Sequence, residues 1–120
     1  VPHLEPRKGD GMSDVIAILC AGRSKEELGK IAERLVSEKL VACANVLGPV
    51  SSYFFWEGKL CREDEGLMIA KSSREMFQKV CAMIRELHSY ELPEIIALPV
   101  VDGLPEYLKW VIEETRGDGS

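Results

Sequence analysis

The chain has 120 residues, 46% of them hydrophobic and 29% charged, with 15 Lys and Arg against 20 Asp and Glu for a net charge of −5. That length is one domain, able to bury on the order of two-thirds of its unfolded surface without disulfides or a structural metal. The acidic balance argues against a phosphate-tracking surface, and no apolar run approaches the roughly 18 to 20 residues of a membrane span. The expected partners therefore include neither nucleic acid nor membrane, and with no signal-type leader the expected location is cytoplasmic.

Residues 1–11 (VPHLEPRKGDG) carry prolines and glycines without any period. They read as a disordered leader or expression remnant ahead of a single domain over 12–120, and His3 is set aside with them. Val15 to Ala21 is a nearly continuous apolar run, the pattern of a strand buried on both faces. Gly22 ends it. Ser24 with Glu27 three positions on forms a capping box, whose hydroxyl and carboxylate satisfy unpaired amides at a helix start. Leu28, Ile31, Ala32, Leu35 and Val36 then recur at helical spacing, opposite Lys25, Glu26, Lys30, Glu33, Arg34 and Glu38.

From Val41 to Lys71 the texture changes to Val, Tyr, Phe and Trp around turn residues Glu57 and Gly58, which predicts a long hairpin. Each arm has about fourteen residues against a usual five or six. At about 3.3 Å per residue an arm spans roughly 45 Å, whereas a compact domain of this length is about 35 Å across. The tip must overhang its own core, displaying Tyr53, Phe54, Phe55 and Trp56. An unpaired edge with an exposed apolar patch is a combination that soluble monomers avoid, so these four residues are expected to form a subunit interface. Gly48 and Pro49 are expected to bend the first arm.

Ser72 and Glu75 suggest a second capping box, followed by Phe77, Val80, Cys81, Ile84 and Leu87 at helical spacing. His88, Ser89 and Tyr90 mark the end of that helix, and Glu94 to Val101 is a short apolar strand. Pro105, Leu108, Val111 and Ile112 predict a last helix with Gly117 at its stop. The order is βαββαβ plus a C-terminal helix, the α+β arrangement of a ferredoxin-like sandwich with an extended β-hairpin.

Phosphate loops, nucleophile elbows and H-E-x-x-H are absent. The cysteines, Cys20, Cys43, Cys61 and Cys81, form no C-x-x-C hook. Cys20, Cys43 and Cys81 sit among apolar residues, where a free thiol behaves as a small core hydrophobe, and Cys61 lies in a polar neighbourhood. The densest polar cluster is His88 to Glu94. An imidazole with Glu91 and Glu94 three and six positions on offers ligands to Cu(II), Ni(II) or Zn(II), and Cys20 would add a soft one. Against this, a His at a helix C-terminus is favoured by the helix dipole alone. Tyr53 to Trp56 could stack nucleobases, but few Lys or Arg flank them. Arg23, before the first helix, could hold an anion as in a hydrolase, with Asn45 the candidate to stabilise charge or position water.

Several stretches in one order then carry a resemblance: Glu38 to Asn45 (EKLVACAN), Trp56 to Lys59 (WEGK), Met68 to Ser72 (MIAKS), His88 to Val100 (HSYELPEIIALPV) and Tyr107 to Trp110 (YLKW). From Val15 to about Thr115 the chain resembles the CutA family of divalent-cation tolerance proteins. The resemblance implies a ferredoxin-like subunit in a tight, PII-like homotrimer whose long hairpins pack against neighbouring subunits. It further implies a non-catalytic role linked to copper and other divalent cations. Cys20 matches the family's Cys at the end of the first strand, and His88 the His of its H-P-Y-E stretch. Ser89 replaces the usual Pro, Phe54 the usual Tyr, and Leu87 stands where some bacterial members carry a second His used for copper. The expected metal residues are Cys20, His88, Glu91 and Glu94, with Cu(II) the leading ion. The competing expectation is a PII-like trimeric regulator that binds an anionic small molecule in the clefts between subunits.

Overall fold

In the computed structural model, which describes residues 14–116, the first apolar run is β1 (Val15–Gly22). The leader over 1–11 and the Gly117 stop lie outside the described residues. β1 sits between β3 (Lys59–Ser73) and β4 (Glu94–Pro99), with β2 (Cys43–Trp56) beyond β3, and every pairing is antiparallel. Among the described residues no helix is long and apolar enough to cross a membrane.

Alternation along the strands decides where the core lies. Ile16, Ile18 and Cys20 of β1, with Met68 and Ala70 of β3, face two helices, α1 (Lys25–Ser37) and α2 (Phe77–Leu87). Leu28, Ile31 and Leu35 of α1 and Val80 and Ile84 of α2 complete that core. On the other face α3 (Pro105–Glu114) covers only one end of the sheet, packing Leu108 and Val111 on Val15 and Ala42. Ala17 and Leu19 are therefore half-buried, where the sequence predicts a strand buried on both sides. Among the described residues no second layer covers the middle of that face.

The first capping motif forms. Ser24 Oγ accepts from the Glu27 amide at 3.1 Å, and the Glu27 carboxylate reaches back to the Arg23 amide at 3.0 Å, one residue earlier than the usual box. Ser24→Ala should destabilise the fold by about 1 kcal/mol, read as a lower urea midpoint. The second motif does not form. Ser72 still belongs to β3, opposite Ile16, and its hydroxyl donates to the Leu40 carbonyl at 2.6 Å. The chain instead enters α2 through a 3-10 turn, Arg74–Met76, with no side-chain cap.

The hairpin follows the expected lengths. Glu57 and Gly58 both have positive φ, 51° and 78°, as a two-residue turn matched to strand twist requires. Pairing between the arms is interrupted between Leu47 and Val50, where Gly48 and Pro49 sit. Beyond that break Tyr53, Phe55 and Trp56 remain 68%, 72% and 60% exposed. The fold is 45 Å long but only 21 Å thick, consistent with arms that outrun their own core.

Candidate functional site

The loop from His88 to Pro93 is tied to three elements at once. His88 is buried, and its Nε2 lies 2.8 Å from the Ala21 carbonyl while its Nδ1 lies 3.0 Å from the Tyr90 amide. A carbonyl can only accept and an amide can only donate, so the imidazole is neutral with its proton on Nε2. Tyr90 Oη donates to Glu65 Oε2 of β3 at 2.7 Å. Burial first, then that bond and nearby carboxylates, push the Tyr90 phenol well up. The Ser89 amide donates to Glu27 Oε2 of α1 at 2.7 Å. Burial pushes the Glu27 carboxyl up, but hydrogen bonds from Ser89 and Arg23 outweigh it and hold the group below its ordinary range. Gly22 makes room for this joint: a Cβ there would meet His88 Nε2 at 3.3 Å.

These commitments bear on the four expected metal residues. Cys20 is fully buried. Burial first, then the Glu94 and Glu27 carboxylates, push its thiol up to about 12, away from the thiolate a metal needs. Both nitrogens of His88 are already spent on backbone groups. Glu94 pairs with Ala21, so its side chain projects from the opposite face of the sheet to Cys20. Glu91 and Glu94 are both exposed. The structure thus sets His88 close to Gly22, two residues from Cys20 on the same face, and leaves the two carboxylates outside. Among the described residues no group of three or more His, Cys, Asp or Glu is arranged to hold a metal ion. The described side chains do not fit a metal held within one chain.

The pair needed for a hydrolase is not assembled either. Arg23 borders an open groove of about 520 Å³ whose lining mixes Lys30 and Arg34 with Glu26 and Glu27. The amide at Arg23 is already taken by the Glu27 carboxylate. Asn45 points elsewhere, its Oδ1 accepting from Lys71 Nζ.

Three residues that sequence reasoning did not connect come together instead. Cys43, read as a core hydrophobe, is half-buried with its Sγ 3.3 Å from Tyr107 Oη. Lys71 lies opposite Cys43 across β2 and β3. Glu27 carried a signal in its capping motif and Lys71 and Tyr107 lie in stretches that carry the resemblance, but nothing local marks the partners of Glu65, Lys71 or Tyr107, since each finds its partner through strand register or tertiary packing.

A family model, CutA1 divalent ion tolerance protein, matches residues 16–114. The chain is 43% identical over 90 residues to the divalent-cation tolerance protein CutA of Archaeoglobus fulgidus, covering 75% of this chain and 87% of that one. It is 36% identical over 104 residues to the protein of the same name from Thermus thermophilus, covering 87% and 99%. The solved structure of the Thermus protein superposes with a TM-score of 0.82 at 36% identity, covering 84% of this chain and 98% of that one.

Proposed function

Because the chain belongs to the CutA family of divalent-ion tolerance proteins, we propose that it works as a non-catalytic homotrimer in the response to divalent cations, Cu(II) first among them. The observation that carries this reading is the overhanging hairpin. Tyr53, Phe54, Phe55 and Trp56, joined by Leu60, form an apolar ribbon left exposed by the described residues of their own chain, and burying it on another subunit removes it from water.

A metal ion in such an assembly takes its ligands from more than one subunit. This chain contributes the exposed Glu91 and Glu94, while Cys20 and His88 hold the strand and loop that present them. Hard carboxylate oxygens accept several divalent ions, which suits a tolerance protein of broad range. A cytoplasmic home is part of the same proposal, supported by four cysteines that are all free. Its Arabidopsis relative is chloroplastic and the Archaeoglobus structure is of a periplasmic protein, so membership alone does not set the compartment.

Sedimentation and calorimetry test both halves. The expected mass is three times the 13.4 kDa of one chain, falling to a single chain in the Phe55→Glu, Trp56→Glu double variant. Cu(II) affinity should drop about tenfold or more in Glu91→Gln, Glu94→Gln. A single-chain mass for the unaltered protein would remove the assembly, and unchanged Cu(II) binding in the carboxylate variant would remove the site.

A further inference from the structure

The hairpin changes direction where its ladder skips. Leu47 pairs with Leu67 and the next pair is Val50 with Glu65, so Gly48 and Pro49 of β2 together oppose Gly66 of β3, a two-against-one bulge that bends the strand. The arms are pressed together there: a Cβ at Gly48 would lie 3.3 Å from the Glu65 carbonyl oxygen and from the Gly66 Cα. Residues 50–65 project beyond the bend. Among the described residues, one side-chain hydrogen bond joins this arm to the body of the fold, from Tyr90 Oη to Glu65 Oε2 at 2.7 Å. The other side-chain bonds of the arm, from Arg62 to Ser51 and Asp64 and from Cys61 to the Lys59 carbonyl, stay within it.

The far end of that bond is stiffly held. The Tyr90 amide donates to His88 Nδ1 at 3.0 Å, its ring centroid lies 4.9 Å from that of the imidazole, and the preceding Ser89 amide is held by Glu27 of α1. Burial and the facing carboxylates Glu65, Glu63 and Glu27 push the phenol well up, so Tyr90 keeps the proton that it donates. Glu91 follows Tyr90 directly, and both Glu91 and Glu94 are exposed. Gathering these two carboxylates onto one cation sets the backbone between them, and Tyr90 moves with it.

We propose that Tyr90 and Glu65 are positioning residues through which cation binding at Glu91 and Glu94 sets the pitch of the intersubunit hairpin. This rests on the trimeric, cation-linked reading given above. A bulge made of two glycines and a proline is the pliant point of the ladder, since glycine has no side chain to pack and proline donates no ladder bond. From Val50 to Trp56 the arm is roughly 20 Å long, so a rotation of about 10° at the bend carries the apolar tip about 3.5 Å. Close-packed apolar contacts lose much of their attraction over about 1 Å, so a small change in the loop is felt by Phe55 and Trp56 where they meet a neighbour.

Hydrogen exchange of the full chain, read by mass spectrometry on the peptide spanning residues 50–65, tests the link, with Cu(II) as the added cation and its affinity taken from calorimetry. Without metal, Tyr90→Phe should raise exchange in that peptide about fivefold, because the arm loses its tie to the body. Cu(II) should slow exchange about fivefold or more in the unaltered protein and leave Tyr90→Phe unaffected, and by reciprocity Tyr90→Phe should bind Cu(II) more weakly by about the same factor. Glu65→Gln, which keeps an acceptor for the phenol, should retain the slowing, whereas Glu65→Ala should lose it. Slowing by Cu(II) that survives in Tyr90→Phe, as a merely structural bond would allow, would overturn the coupling. Cu(II) uptake without any change in the peptide would overturn the coupling alone, and no Cu(II) uptake would overturn the cation site and the coupling together.

Discussion

Gly66→Ala is expected to destabilise the protein by about 3 kcal/mol, near the upper end of overpacking effects. A β-carbon at Gly66 would lie 2.7 Å from the carbonyl carbon and oxygen of Ser24 and 2.8 Å from the amide nitrogen of Lys25. These are backbone atoms of the first turn of α1, which cannot rotate aside as a side chain would. Gly66 pairs with Gly22 across β3 and β1, so two adjacent positions without a side chain let the helix start rest on the sheet. Pushing that turn outward would also draw Glu27 away from the Arg23 and Ser89 amides. The urea midpoint at fixed chain concentration is the measurement. Gly29→Ala serves as the control. Nothing lies within 4 Å of a Cβ there, and alanine inside a helix should stabilise by about 0.5 to 1 kcal/mol. A loss below about 1 kcal/mol for Gly66→Ala would mean that α1 shifts freely on the sheet.

His88→Ala should cost about 2 to 5 kcal/mol, because it leaves two backbone groups unpaired in a buried place and opens a cavity. The groups are the Ala21 carbonyl and the Tyr90 amide. With them goes the anchor of the loop that sets Tyr90 on Glu65 and Ser89 on Glu27. Hydrogen exchange at the Tyr90 amide should rise well before global unfolding. The same variant separates a structural from a ligating histidine. While it remains folded, Cu(II) affinity should fall about tenfold, the loss expected when a group that supports the ligands is removed, and should not be abolished. Abolished binding in the folded variant would return His88 to the metal.

Much of the architecture is written locally. The helical recurrence of Leu28, Ile31 and Leu35, the change of period at Val41, and the Glu57-Gly58 turn each depend on residues a few positions apart. The element order and the overhang of the hairpin followed from them. The assignment of Ser72 to a capping box failed for the opposite reason: its hydroxyl had a better partner in Leu40, on a distant segment of the chain. The candidate site divides in the same way. The stretch from His88 to Glu94 stands out by composition alone, and its residue types suggest a metal. Its protonation and bonding, however, depend on β1 lying against the loop.

By itself the sequence determined the order of elements, the length of the hairpin and the family. Periodicity, turn chemistry and motif order survive in one dimension because they are set by near neighbours. Only the tertiary structure decided that Cys20 is a sealed thiol, that both nitrogens of His88 are spent on backbone groups, and that Cys43 meets Tyr107 and Lys71. Burial and hydrogen-bond partners fix what a titratable side chain can do, and here both come from segments far apart along the chain.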